Sequence, residues 1–107
     1  MTRIKDTFEK CLSLNRAAFV AYITAGDPDL ETSLKIADSM ANNGIDILEL
    51  GVPFSDPIAD GEANQLAAER AISSGMTSRK VLEEACEIRK RHPSLPIVLF
   101  TYMKLLS

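Results

Sequence analysis

The sequence predicts an α/β fold, a parallel sheet of three strands joined by helices and left incomplete. Three observations lead there. Short runs rich in Val, Ile, Leu, Phe and Tyr occur at "AFVAYIT" (18–24), "IDILELGV" (45–52) and "PIVLFTYM" (96–103). Segments of helical period separate them, the alternation that parallel crossovers require. After the third run, Lys104 to Ser107 offer nothing that could pair with the last strand, so an open apolar edge is expected.

Residues 3–12 read as a short leading helix. The run 18–24 is the first strand, apolar on both faces as strands of a covered parallel sheet are. Asp27 and Pro28 are expected to be the N-cap and first-turn proline of a helix that carries Leu30, Leu34, Ala37 and Ala41 at helical spacing and stops at Gly44. The second strand follows at 45–52. The next crossover is longer: "GEANQLAAERAISSG" predicts a helix ending near Gly75, and "TSRKVLEEACEIRKRHP" predicts another with Val81, Ala85 and Ile88 inward and Pro93 past its end. The third strand is 96–103. No repeat or linker interrupts the pattern, so residues 1–107 are expected to form a single domain.

Composition narrows the partners. With 107 residues, 46% hydrophobic, 5 glycines and 5 prolines, the chain has a globular make-up. Its net charge is -3, and its basic residues are scattered apart from a cluster at Arg89 to Arg91, which gives no stripe of the kind nucleic acid requires. Cys11 and Cys86 stand alone, without metal-ligand or disulfide spacing, and are expected to be packing residues in a reducing compartment. No segment approaches the roughly 18 apolar residues of a membrane span, and the charged start lacks a leader's apolar stretch. A soluble, cytoplasmic protein is the expectation, with no membrane and no metal.

The stretch "DILELGVPFSDPIADG" carries the chemistry. Side chains alternate along a strand, so Asp46, Leu48 and Leu50 share one face and Ile47, Glu49 and Gly51 the other. If the leucines pack under helices, Glu49 points the opposite way. Should Val20, Tyr22 and Thr24, and likewise Val98, Phe100 and Tyr102, face the same interior, then Tyr22, Glu49, Phe100 and Tyr102 gather near the C-terminal ends of their strands. Enzymes built on closed barrels of parallel strands keep their sites there. Burial in such an aromatic pocket raises a carboxyl pKa and suits it to take and return protons. The plainer alternative is a strand-end glutamate paired with a lysine or exposed at an edge. Asp60 before Gly61, and Asp56 before Pro57, read from spacing as turn residues.

The stretch "LELGVPFSDPIADG" resembles the signature of the tryptophan synthase alpha subunit family, and "FVAYITAGDPDLETSLKIAD" is similar to that family's first strand and helix. The resemblance runs over nearly the whole chain. It implies the N-terminal three strand-helix units of a TIM (β/α)8 barrel, incomplete. It also implies a lyase of tryptophan biosynthesis that cleaves indole-3-glycerol phosphate to indole and glyceraldehyde 3-phosphate by a retro-aldol reaction. Glu49 then corresponds to the catalytic acid/base and Asp60 to a second catalytic carboxylate, while Tyr22, Phe100 and Tyr102 would wall the indole. The implied partner is a tryptophan synthase beta subunit, in a tetramer of two alpha and two beta chains. Pro53, Asp56 and Pro57 would lie at that interface. No cofactor is expected on this chain, since pyridoxal phosphate belongs to the beta subunit.

The implied reaction accounts for the residue types. Cleavage protonates indole C3 and removes the proton of the hydroxyl on the adjoining carbon, which a tuned carboxyl can do in turn. Positive charge grows on the indole nitrogen, where an ionised Asp60 would stabilise the transition state more than the ground state. Two departures stand out: Glu62 and Ala63 replace the family's usual proline and threonine after Gly61, and "TYMKLLS" replaces an asparagine-bearing strand end. A full barrel takes roughly 250 residues and usually holds phosphate after strands 7 and 8. The isolated chain is therefore expected to lack appreciable lyase activity; the alternative is a non-catalytic fragment that docks on a beta subunit or self-associates.

Overall fold

The computed structural model describes residues 3–54 and 61–101. In chain order these form α1 (Arg3–Ser13), β1 (Val20–Thr24), α2 (Leu30–Asn42), β2 (Ile47–Gly51), α3 (Glu62–Ser73), α4 (Ser78–Arg91) and β3 (Ile97–Phe100). The strands make one parallel sheet in the order β1-β2-β3. Among the described residues no further strand pairs with β1 or β3, so the sheet is open on both sides.

The core explains the strand composition. Leu48 and Leu50 of β2 are fully buried in a cluster with Ala21 and Ala25, Ala37 of α2, Ala71 of α3, and Val81 and Ile88 of α4. Burying each leucine stabilises the fold by roughly 1.5–3 kcal/mol. Both crossovers therefore pack on the face to which β2 presents its even-numbered residues. Gly44 and Gly75 end α2 and α3 at φ of +96° and +99°, values that residues with a β-carbon rarely adopt.

Charge and capping anchor the N-terminal ends of the strands. Arg16 donates to both oxygens of Asp46 at 2.8 and 3.0 Å, and the same carboxylate accepts the Phe19 N–H at 2.7 Å. These bonds hold Asp46 down to about 2. Arg89 closes the end of α4, its Nη1 donating to the carbonyls of Pro93 and Leu95 at 3.0 and 2.5 Å, and Arg3 of α1 donates to Pro93 at 2.9 Å.

Four expectations need correction. The N-cap of α2 is Asp29, whose Oδ1 accepts the Thr32 N–H at 2.8 Å, and not Asp27. Helix α2 starts two residues past Pro28, and Asp27 is gripped instead by Arg70 of α3 through Nε and Nη2 at 2.7 and 3.0 Å. On α4 Val81 and Ile88 point inward as expected and Ala85 packs partly buried against the same core, but the row also holds Glu84, because the helix presents its 84 position to Ser33 of α2. β3 spans Ile97–Phe100 rather than 96–103: Pro96 has no N–H for the ladder, although its carbonyl accepts from Leu48 at 3.0 Å, and residues 102 and 103 lie outside the described residues. Finally, Cys11 is buried as a packing residue should be, but Cys86 is exposed on the outer side of α4.

Candidate functional site

The ladder register builds the site. Tyr22 pairs with Glu49 and Glu49 with Val98; one step on, Thr24 pairs with Gly51 and Gly51 with Phe100. Paired residues project to the same side, so these residues share the face opposite Leu48 and Leu50. Among the described residues no helical layer seals that face: Val20 and Phe100 remain 43% and 44% exposed. The rings of Tyr22 and Phe100 meet edge to face, with centroids 5.9 Å apart and planes at 88°. Such pairs contribute about 0.5–1.5 kcal/mol beyond their burial.

Glu49 lies in the middle strand of this face, half-buried, its carboxylate without a hydrogen bond or ion pair to another described residue. The other carboxylates near the sheet differ in this respect. Asp46 is held by Arg16, Asp27 by Arg70, and Asp38 by Arg91 and His92. Glu84 accepts the Ser33 hydroxyl at 2.5 Å, and burial pushes its carboxyl up, opposed by that bond and by the Gly26 N–H. A half-buried carboxylate with an aromatic residue on each neighbouring strand can exchange protons with a flat guest laid against the sheet. Among the described residues no group of three His, Cys, Asp or Glu is placed to hold a metal ion, and no helix is long and apolar enough to cross a membrane.

The structure thus brings together three residues singled out in the sequence, Tyr22, Glu49 and Phe100. Pro53 lies two residues past the end of β2, partly buried. Asp56, Pro57, Asp60 and Tyr102 lie outside the described residues. One residue that sequence reasoning passed over is Gly51. The Tyr22 ring lies directly on it, and the signal available was a glycine at an inward position of a strand, two residues after the glutamate. A cleft of about 380 Å³ opens at the opposite end of the strands, lined by Lys10, Ile45, Asp46, His92 and Pro96 among others, and contains none of the predicted site residues.

The family profile described as tryptophan synthase alpha chain matches residues 8–107. The chain is 50% identical over 105 residues to the tryptophan synthase alpha chain of Opitutus terrae, covering 98% of this chain and 39% of that one. A structure from Aquifex aeolicus superposes with a TM-score of 0.93 at 44% identity, covering 97% of this chain and 41% of its own. The alpha subunit of tryptophan synthase from Legionella pneumophila superposes with a TM-score of 0.91 at 38% identity, covering 95% and 39%. The chain therefore spans about two fifths of the relatives it matches, as three strand-helix units of a TIM (β/α)8 barrel whose sheet is not closed.

Proposed function

The chain belongs to the tryptophan synthase alpha chain family, lyases of tryptophan biosynthesis, and on that premise we propose that it carries the proton-transfer half of an indole-3-glycerol-phosphate lyase site. The observation that supports this is the placement of the Glu49 carboxylate, without a partner among the described residues, on the face where Tyr22 and Phe100 meet. In this reading Glu49 protonates indole C3 and takes the proton of the adjoining side-chain hydroxyl as the C–C bond breaks, releasing indole and glyceraldehyde 3-phosphate. Asp60 faces the charge that develops on the indole nitrogen, and Tyr22, Phe100 and Tyr102 flank the ring. The step needs carboxylates alone; pyridoxal phosphate stays with the beta subunit, which docks at Pro53, Asp56 and Pro57 in the cytoplasm.

Binding and turnover separate in this proposal. A chain that spans two fifths of its relatives supplies one wall of the pocket, and remote substrate groups contribute much of the positioning in such enzymes. The expectation for purified residues 1–107 is negligible retro-aldol turnover together with weak binding of indole. Indole should shift the resonances of Tyr22, Glu49 and Phe100 in an NMR titration. Appreciable turnover by the purified chain would refute the first part, and shifts confined to other residues would refute the second.

The open edges support a second outcome. Phe19 and Val20 at one edge and Leu99 and Phe100 at the other are exposed, the condition under which sheets associate. Size-exclusion chromatography with and without a beta subunit decides between the two. A complex supports docking through the loop after β2, and aggregates of the chain alone support association through its edges.

A further inference from the structure

Tyr22 and Phe100 stand on strands that are not neighbours, with β2 between them. Adjacent strands lie about 4.8 Å apart, so side chains rising straight from β1 and β3 would be at least roughly 9.6 Å apart, and Tyr22 also stands two residues before Thr24, the position level with Phe100. Their ring centroids are 5.9 Å apart, so the rings close over the middle strand, and it is the Tyr22 ring that reaches Gly51. Gly51 is the ladder partner of Phe100 and of Thr24. A methyl group built on Gly51 would overlap the Tyr22 hydroxyl oxygen and lie 2.5 Å from its Cζ and 2.9 Å from its Cε2. The backbone of Gly51 is ordinary strand, so its conformation does not demand glycine. Only the ring does.

We infer that Gly51 is a positioning residue: the space left by its missing side chain seats the Tyr22 ring against Phe100 and fixes the aromatic wall beside Glu49. This rests on the proposed lyase site for its purpose but not for its geometry. Without the seat, Tyr22 would have to swing off β2, and a flat guest would lose its wall while Glu49 stayed in place. Tyr22→Phe would remove the overlapping oxygen yet leave the two ring carbons too close, so it should relieve a side chain at 51 only in part.

A double-mutant cycle on the 107-residue chain tests this with Gly51→Ala, Tyr22→Leu and their combination, read by the Tyr22–Phe100 cross-ring NOE and by the dissociation constant for indole. Gly51→Ala is expected to abolish the NOE and weaken indole binding about tenfold, and to cost less than about twofold once Tyr22 is leucine. A purely structural glycine would show the same loss in both backgrounds; that result, or an NOE that survives Gly51→Ala, overturns the inference. Should Gly51→Ala fail to fold, the combined variant decides: recovery of the wild-type far-UV circular dichroism supports the seat, and continued unfolding overturns it. Absence of indole binding by the unmodified chain would sink the proposed function, while the NOE and the folding rescue would still judge the seat.

Discussion

The guanidinium of Arg70 grips the carboxylate of Asp27 with two hydrogen bonds of 2.7 and 3.0 Å, joining the last turn of α3 to the loop that follows β1. The Ser74 hydroxyl adds a bond of 3.4 Å to the Gly26 carbonyl of the same loop. The second crossover is thereby fastened to the first at the C-terminal end of the sheet, beyond the middle position that Glu49 takes in β2.

Because Arg70 is half exposed, water screens the pair and its contribution is modest. Arg70→Ala is expected to lower the urea midpoint modestly, by less than the loss of a buried ion pair would. Arg70→Lys, with one point charge in place of a fork, should recover less than half of that loss. Full recovery by lysine would show that the fork geometry is irrelevant.

The surroundings of Glu84 and Glu49 should differ in what the loss of a polar group costs. Ser33→Ala strips the buried Glu84 of its side-chain donor and should cost about 1–3 kcal/mol. Glu49→Gln touches no partner among the described residues and should shift stability by less than about 0.5 kcal/mol. Thermal unfolding of the two variants side by side checks the contrast, and a costly Glu49→Gln would mean that Glu49 is structural.

Burial raises the Glu84 carboxyl above its ordinary 4.5, so the folded chain binds that proton more tightly than the unfolded chain. Its contribution is complete below about pH 4.3 and declines as pH rises through the folded value. Glu84→Gln keeps a partner for Ser33 and should flatten the decline of the urea midpoint as pH rises above the unfolded carboxyl's range. An unchanged slope in the variant would show that Glu84 is ionised in the fold.

Asp46 works in the other direction. Held down to about 2 by Arg16 and the Phe19 N–H, it stabilises the fold above the unfolded value of about 3.9, and that contribution is lost as pH falls toward 2. Asp46→Asn should remove this acid limb from a stability profile, with a loss of about 1–2 kcal/mol at neutral pH from the weakened bonds. An acid limb that persists in Asp46→Asn would place the effect elsewhere.

Local signals in the chain were sufficient for every helix and strand found. Three apolar runs, the glycines at 44 and 75 and the period of the segments between them are features of neighbouring residues, so they could be read without the fold. The alternation "LELG" likewise assigned Glu49 and Leu48 to opposite faces, because strand parity is a property of the backbone alone. Where two aspartates stood two residues apart, local reasoning chose Asp27 as the cap. The tertiary structure reversed that choice, since Arg70 lies 43 residues away and no local pattern announces it.

Sequence by itself determined the alphabet of the site: a carboxylate on an inward strand position, with aromatic residues at matching parity on the strands before and after it. Only the tertiary structure decided that Tyr22 and Phe100 meet across β2, that Gly51 leaves the space for the Tyr22 ring, and that Glu84 sits buried against Ser33. The reason is one of range. Periodicity and capping act within a few residues, whereas register between parallel strands and the packing of one ring into a gap on another strand depend on separations of 25 residues or more along the chain, set only once the core of Leu48, Leu50, Val81 and Ile88 has closed.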